Sequence, residues 1–232
     1  MDFKFNWKIS LFCLVFLVIF MNLGLWQLDR EKEKRELLAQ REELRNADPM
    51  TADELVTRED WIGRPVRLVG EYDPAVILLQ DNRVFEGQVG FEVVQRFHES
   101  SGRDFLVNRG FVPIKRTRDE VPDIPPVSGE QQITGLIREP GTPLLLGDST
   151  QDPGYPRIVQ SIDLAQLKAA GLDVFPGVVR LDADQAGALP RYWPDVVMQP
   201  VQHRGYAIQW SAMAFAISLA WLFFSFRKKE ST

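Results

Sequence analysis

His203 is the residue of this chain best suited to bind a metal centre, because it stands just before a long apolar segment together with two aromatic side chains. Tyr206 and Trp210 follow it at +3 and +7, which places the three on one face of a helix that begins near Pro200. An imidazole can ligate haem iron, and an indole can pack against a porphyrin face. Aromatic side chains also anchor helices at membrane surfaces. Both interpretations of this pattern stay open: a haem site and simple anchoring.

A second group of candidate residues lies at the end of the other apolar segment, near the N-terminus. Trp26, Gln27 and Arg30 stand there, and an arginine can pair with the propionates of a haem. Arg109 lies beside Gly110 in an otherwise apolar strand pattern, VNRGF. It is either a further site residue or an arginine that a buried carboxylate holds in place to fix the strand.

The remaining inventory of reactive residues argues against an enzyme. The sequence has two histidines and one cysteine, and it lacks the GxSxG, GxxxxGK, HExxH and CxxC motifs. A site with several histidine ligands therefore cannot form, and His98 is expected to face solvent between two strands. A membrane-tethered enzyme remains only as a third hypothesis, which requires a pocket with converging titratable groups.

Two uncharged apolar segments must position these candidates, and each is predicted to be a transmembrane helix. They cover residues 9–28 and 206–226, and a helix of about 20 residues crosses the hydrocarbon core of a bilayer. The first segment is longer than the apolar part of a signal peptide, and no small-x-small cleavage site follows it. An uncleaved anchor is therefore predicted at residues 9–28.

The charges that flank the two segments predict the orientation. Lys4 and Lys8 precede the first segment, and Arg227, Lys228 and Lys229 follow the second. Short segments rich in Lys and Arg stay in the cytoplasm. Residues 1–8 and 227–232 are therefore predicted to be cytoplasmic, and residues 29–205 to lie in the periplasm of a bacterium, anchored in its inner membrane.

Composition restricts the partners of this predicted periplasmic domain. The chain carries 27 Lys and Arg against 32 Asp and Glu, a net charge of −5, which argues against nucleic acid as a partner. Cys13, the single cysteine, lies within the first apolar segment, so the domain is predicted to have no disulfide bond. The lipid bilayer is the partner that the sequence itself indicates.

The predicted fold class is α+β: two transmembrane helices flank a β-rich antiparallel domain, barrel-like or sandwich-like. A charged helix is expected to continue over residues 29–45, and Thr51 begins a short helix with a carboxylate three residues later. The β-rich core is predicted at residues 60–200, with a short helix at 163–170 and loops at 115–129 and 140–156. Alternating apolar patterns and turn residues predict the strands, which cover residues 66–72, 75–83, 89–98, 104–111, 131–138, 158–162 and 178–182.

Four motifs spread along the chain resemble those of the surfeit locus protein 1 family. They read LGLWQLDREKEKRELL, RPVRLVGEYDP, FLVNRGFVP and HRGYAIQWSAMA. Phe111 and Ser211 depart mildly from the family pattern, which often has tryptophan at the first position and an aromatic residue at the second. The resemblance implies a cytochrome c oxidase assembly factor that binds haem a and assists its insertion into the catalytic subunit of the oxidase.

The resemblance also implies roles for individual residues and partners. His203 matches the histidine proposed as the haem iron ligand, and the other residues at family motif positions are Trp26, Gln27, Arg30, Arg109, Tyr206 and Trp210. The implied partners are the oxidase catalytic subunit and the enzymes of haem a synthesis.

Two hypotheses of function follow from the sequence. The first is a non-enzymatic haem a chaperone. The second is an assembly scaffold that binds oxidase subunits without binding haem. The scaffold would use the β-rich domain and a stripe of small residues on the second span, Ala212, Ala216 and Ala220. The partner of this stripe is either the first span or a helix of another membrane protein.

Overall fold

A computed structural model describes residues 2–3, 6–117, 120–141, 154–191, 193 and 198–227. The chain forms two compact units, one of residues 1–40 with 194–232 and one of residues 41–193. We refer to them as the helical unit and the β unit. Most of the loop predicted at residues 140–156, and residues 228–232 of the predicted cytoplasmic tail, lie outside the described residues.

The elements follow one another in an order that places a helix at each end of a β-rich segment. In chain order they are β1 (Asp2–Phe3), α1 (Trp7–Arg45), α2 (Ala52–Val56), β2 (Pro65–Phe85), β3 (Gln88–Glu99), β4 (Asp104–Pro113), β5 (Gln131–Arg138), β6 (Arg157–Val159), α3 (Leu164–Ala169), β7 (Val174–Leu181), α4 (Pro200–Ser225) and β8 (Phe226–Arg227). The two-residue strands β1 and β8 pair with each other, antiparallel.

Helices α1 and α4 are both long and apolar enough to cross a membrane. Many large apolar side chains on them are exposed, among them Leu14, Phe215 and Phe223 at 57%, 65% and 76%. Exposed apolar surface of this extent fits a membrane-anchored protein. Helix α1 has 39 residues and continues without a break from the apolar segment into the charged one.

The short helix α2 begins as the sequence predicts. Thr51 is its N-cap, and the hydroxyl oxygen accepts a hydrogen bond from the backbone N–H of Glu54. The Glu54 carboxylate accepts in return from the backbone N–H of Thr51, 2.8 Å away. This reciprocal arrangement is a capping box, which satisfies two backbone donors that the helix itself cannot satisfy.

The β unit is built on a six-stranded sheet in the order β3-β4-β7-β5-β2-β6, in which β3 also pairs with β2. The pairings therefore form a closed cycle of five strands, with β6 added beside β2. The predicted antiparallel order is wrong at two places, because β4 pairs parallel with β7 and β2 pairs parallel with β6. Parallel neighbours need a long connection, and the segments between these strands in the chain supply one in each case.

The predicted break between the strands at residues 66–72 and 75–83 is also wrong, because β2 runs through Asp73-Pro74 as one strand of 21 residues. The register between β2 and β3 shifts there, between Tyr72 and Ile77. Asp73 stabilises the bulge: its carboxylate accepts from the backbone N–H of Ala75 at 2.8 Å and also binds Arg96. A bulge bends a strand without ending its pairing, so the sequence signal for a turn marks a bend.

The core of the β unit consists of three clusters of buried apolar residues. The largest packs side chains of the sheet against α2, and includes Leu55, Leu68, Phe97 and Ile133, each fully buried. A second cluster lies under α3, and a third lies between β2, β3 and β4. Strand β4 has eight consecutive buried residues, so both of its faces are covered, and any polar side chain on it must find partners inside the unit.

Candidate functional site

Helices α1 and α4 contact each other through small residues in the helical unit. Gly24 is buried on α1 and Ala207 on α4. A Cβ atom added to Gly24 would lie 3.8 Å from the carbonyl oxygen of Ala207 and 3.7 Å from the Cβ of Trp210. The two backbones therefore approach closely at this level, as small residues allow in membrane helix pairs.

One turn after Gly24 on α1 and one turn before Ala207 on α4, this close approach brings two polar side chains together. The Nδ1 atom of His203 lies 2.7 Å from the Oε1 atom of Gln27. Both side chains are buried, with 7% exposure for His203 and 9% for Gln27. The Nε2 atom of His203 is buried and has no hydrogen-bond partner among the described residues. A buried ring nitrogen without a partner is unusual, and Nε2 is one of the two ring nitrogens through which an imidazole can bind a metal.

The predicted aromatic and cationic residues at this end of the helical unit have different surroundings. Trp210 is half-buried and its ring stacks on that of Phe20, with centroids 5.9 Å apart. Trp26 is 49% exposed, and the guanidinium of Arg30 lies 5.7 Å from the centroid of its ring. Arg30 also forms a salt bridge with Glu33. Trp26 and Arg30 therefore form an exposed pair, available to a ligand at the surface.

Tyr206 does not share the buried face of α4 with His203. It is 44% exposed, whereas Ala207, the next residue, is 4% exposed. The buried residues of α4 are His203, Ala207, Ala214 and Ser225. The face of α4 predicted to carry His203 and Tyr206 is therefore only partly buried, because a step of four residues keeps to the side toward α1 better than a step of three at this end.

The predicted stripe of small residues on α4 also differs from the contact that forms. Ala212 and Ala216 are exposed and Ala220 is partly exposed. The contact with α1 uses Ala207 and Ala214 instead. Within the helical unit, the stripe therefore faces away from α1 and remains available to another helix.

Two apolar grooves follow the helix pair on its outer surface. One has a volume of about 640 Å³ and lies between the residues around Cys13 and Trp221. The other, about 330 Å³, is lined by Gly24, Ser211 and Ala214 among others. His203 lines neither groove, so its Nε2 atom becomes accessible only if the side chains covering it move.

Arg109 lies in the β unit, on β4, where its side chain is 1% exposed. Its Nε atom donates to the carbonyl of Gly187 at 2.8 Å, and its two Nη atoms donate to Gln95 Oε1 and to the carbonyl of Pro125, each at 2.7 Å. The partners are thus neutral oxygens and not the carboxylate that one interpretation of the sequence expected. Its guanidinium also lies 5.4 Å from the ring centroid of Tyr72.

Burial shifts the pKa of both groups in this contact, the Arg109 guanidinium and the Tyr72 hydroxyl. Burial lowers the pKa of Arg109. Burial raises the pKa of Tyr72 to about 12, against the opposite effect of the arginine charge. A guanidinium remains charged under all ordinary conditions. Arg109 therefore acts as a buried cation that holds two loops on β4, and its role as a partner of haem propionates stays a prediction.

The backbone beside Arg109 holds one of these loops as well. Leu189 N–H donates to the carbonyl of Arg109 at 2.7 Å, and Phe111 N–H donates to the carbonyl of Pro190 at 2.7 Å. Gly110 between them has φ 122°, and an added Cβ would lie 2.6 Å from the carbonyl oxygen of Leu189. Only glycine fits such a position, which explains the Arg-Gly pair in structural terms.

Two groups of polar residues escaped the sequence analysis. Glu31 is 7% exposed although it lies in the charge run of α1, and the only signal for it is its place one turn after Gln27. In the β unit, Glu92 accepts from Trp193 Nε1 at 3.0 Å and from Asn108 Nδ2 at 2.7 Å. The Arg180 and Arg191 guanidiniums lie 5.2 and 5.4 Å from the Trp193 ring centroid. No pattern in the sequence links these residues.

The donor set around His203 fits a single axial ligand and no more. The described part of the chain has no group of three or more His, Cys, Asp or Glu side chains that could hold a metal ion. His98, the other histidine, is exposed and its Nδ1 atom lies 2.8 Å from an Asp104 carboxylate oxygen. A metal that already has four ligands of its own, as the iron of a haem does, needs only one further nitrogen, which His203 Nε2 could supply.

Comparison with known proteins adds a family match over most of the chain. The SURF1 family model matches residues 14–215. Proteins named surfeit locus protein 1 are 26% identical over 224 residues in Xenopus tropicalis and 29% identical over 223 residues in Mus musculus. Each alignment covers 86% of this chain and 70% of the relative. An uncharacterized SURF1-like protein of Mycobacterium bovis is 28% identical over 217 residues, which are 89% of this chain and 78% of that protein.

Proposed function

The chain belongs to the SURF1 family, and from this premise we propose that it is a membrane-anchored assembly factor of cytochrome c oxidase that carries haem a. It receives haem a from the enzymes that synthesise it and assists insertion into the catalytic subunit of the oxidase. The protein acts as a chaperone and not as an enzyme. Helices α1 and α4 cross the bacterial inner membrane with both termini in the cytoplasm, and the β unit lies in the periplasm.

The observation that carries this proposal is the buried Nε2 atom of His203, which has no hydrogen-bond partner among the described residues. Burying a polar nitrogen without a partner costs free energy, about 1–3 kcal/mol. A ligand that supplies the missing bond recovers this free energy. His203 Nε2 is therefore the iron ligand, and it is the only histidine nitrogen of the helical unit available for this bond.

The other residues of the helical unit bind the periphery of the porphyrin. Trp26 and Trp210 present indole rings for packing against its faces. Arg30 is 44% exposed on its side chain and can pair with a propionate, because its contact with Glu33 is a surface salt bridge that contributes little stability. Tyr206 is also exposed, and its hydroxyl can donate a hydrogen bond to the second propionate.

Because His203 Nε2 is buried, the carrier alternates between a form in which this nitrogen is covered and a form in which it is uncovered. In the state described here the nitrogen is covered, so loading requires the covering side chains to move. A carrier must release its cargo as well, and closure of the helix pair over the imidazole favours release. Binding then shifts an existing equilibrium between covered and uncovered forms.

The test compares three proteins, each co-expressed with the enzymes of haem a synthesis and purified in detergent. The wild type is expected to carry haem a with a histidine-type Soret spectrum. His203→Ala is expected to lose the haem or change its iron coordination. His98→Ala is the matched control, since His98 is exposed in the β unit, and it is expected to bind like the wild type. An unchanged Soret band and coordination in His203→Ala contradicts the proposal.

A scaffold that binds oxidase subunits without haem is the second candidate, and the outward-facing stripe of Ala212 and Ala216 favours it. Small residues on an exposed helix face permit close packing with a helix of another protein. Protein that is free of haem after purification, yet co-purifies with an oxidase subunit, supports the scaffold. Loss of that subunit on Ala216→Leu, with retention on Leu222→Ala elsewhere on α4, locates the contact at the stripe.

A further inference from the structure

We infer that Gln27 is a positioning residue that holds His203 in the tautomer with hydrogen on Nδ1, and so leaves Nε2 as the ligand atom. The use of Nε2 as an iron ligand rests on the function proposed above. The tautomer itself is a property of the haem-free protein and can be measured without haem.

The first step of the argument is the isolation of the pair. His203 Nδ1 and Gln27 Oε1 lie 2.7 Å apart, within a strong hydrogen bond. Both side chains are buried, so water does not compete for the contact. Residues 176 positions apart in the sequence meet here, and neither side chain makes another hydrogen bond among the described residues.

The second step assigns the proton. An amide oxygen only accepts, so a neutral imidazole bound to it must carry its hydrogen on Nδ1. The opposite arrangement turns the amide of Gln27 over, so that its NH₂ group donates to Nδ1 and the ring hydrogen moves to Nε2. That arrangement leaves a buried N–H without an acceptor, because Nε2 has no partner. Orphaned buried N–H groups are rarer in proteins than under-satisfied acceptors, so the first arrangement is favoured.

The third step explains why the bond forms at all. Gly24 lies one turn before Gln27, and Ala207 one turn after His203, so a close contact of the two helices is adjacent to the bond. The packing at Gly24 fixes the separation of the helices. At this separation the side chain of Gln27 reaches the imidazole without any movement of the backbone.

The chemical consequence concerns the strength of the iron bond. A metal-ligating histidine whose other ring nitrogen donates its N–H to an acceptor is a more basic ligand and keeps its ring orientation. A neutral amide oxygen raises the basicity less than a carboxylate does, because the carboxylate gives the ring imidazolate character. Glutamine at position 27 therefore orients the ligand while keeping the bond weak enough to release the cargo.

The experiment is ¹⁵N NMR of the full chain in detergent micelles, labelled at histidine, free of haem and in mildly alkaline buffer. Exposed His98 is the internal reference, and His98→Ala assigns its signals. We expect His203 as the Nδ1–H tautomer in the wild type, and a mixture with the Nε2–H form in Gln27→Leu. Gln27→Glu keeps an acceptor and restores the Nδ1–H form. Asn22→Leu removes an exposed amide from the same helix and leaves the tautomer unchanged.

Two results overturn the inference: an Nε2–H tautomer in the wild type, or a tautomer of His203 that Gln27→Leu does not change. A separate measurement of haem a binding by the same variants tests the proposed function independently of the tautomer. Loss of the hydrogen-bond partner of a metal-ligating histidine weakens metal binding about 10–100-fold. Gln27→Leu is therefore expected to bind haem a that much more weakly. Gln27→Glu is expected to bind it and to lower its reduction potential. If no variant binds haem while the tautomers follow the expectation, the function fails and the role of Gln27 stands.

Discussion

Replacing Arg109 with methionine is expected to destabilise the β unit more than the loss of any exposed arginine. Methionine has a similar length and no charge, so the change tests the guanidinium and not the volume. The side chain is 1% exposed. Its hydrogen bonds to the carbonyls of Gly187 and Pro125 hold two loops on β4, and a third bond joins it to Gln95 on β3.

The magnitude follows from these three bonds. A hydrogen bond from a charged donor contributes about 1.5–3 kcal/mol. Three acceptors lose their partner together: Gln95 Oε1, which is buried, and the carbonyl oxygens of Gly187 and Pro125, which lie in a partly exposed and an exposed residue. Returning the guanidinium to water opposes this loss, because burial of the charge is unfavourable, as the lowered pKa of Arg109 indicates. Three such bonds at the low end of the range contribute about 4.5 kcal/mol. After the opposing effect of the buried charge, we expect a net loss of about 3 kcal/mol in the free energy of unfolding. For a unit of this size that corresponds to a fall of about 6–12 °C in Tm.

The assay is thermal and urea unfolding of the full chain in detergent, followed by far-UV circular dichroism and tryptophan fluorescence. Arg103→Met is the matched control, since Arg103 is 41% exposed on its side chain and pairs with Asp53 at the surface. Its loss is expected to be small, because surface salt bridges contribute little. Arg109→Lys keeps the charge but not the planar group, so it is expected to recover only part of the loss. Equal Tm values for Arg109→Met and Arg103→Met refute the reasoning.

Three further predictions follow from backbone geometry, helix packing and burial. Gly110→Ala is expected to lower the free energy of unfolding by more than about 2 kcal/mol, because an L residue is strained there and its Cβ meets backbone oxygen. Gly102→Ala is the control, since Gly102 also has positive φ but open space around it. In the same urea titration, the control is expected to lose less free energy of unfolding. Gly24→Ala is expected to leave the Tm of the detergent-solubilised protein nearly unchanged and Gly24→Leu to lower it, since the Cβ alone fits and a longer side chain does not; equal Tm values contradict this. Burial raises the pKa of Tyr72 to about 12, above the value of about 10 in the unfolded chain, so its contribution to stability is complete below about pH 10 and is lost as pH rises toward 12. Tyrosinate absorbance of the wild type and of Tyr72→Phe measures this, and a difference spectrum that titrates near 10 contradicts it.

The sequence by itself determined the features that depend on neighbouring residues. Apolar composition determined α1 and α4, since the length and hydrophobicity of a segment need no partner to be read. Thr51 and Glu54 determined the start of α2, because a capping box joins residues three apart. Alternating apolar residues located most of β2 to β5, because this pattern is also formed by residues close together in the sequence. His203 and Gln27 were also found from the sequence as candidate site residues, from motif positions and from their place at the segment ends.

Only the tertiary structure decided how these elements and side chains meet. It made Asp73-Pro74 a bulge, because Arg96 on the neighbouring strand binds the Asp73 carboxylate. It turned Ala207 instead of Tyr206 toward α1, because Gly24 admits close approach there. It gave Arg109 neutral oxygens as partners, since loops distant in sequence pack on β4. The bond between His203 and Gln27 joins residues 176 positions apart. Such partners are selected by packing, which no local pattern encodes, and so the orientation of the candidate ligand is a property of the fold.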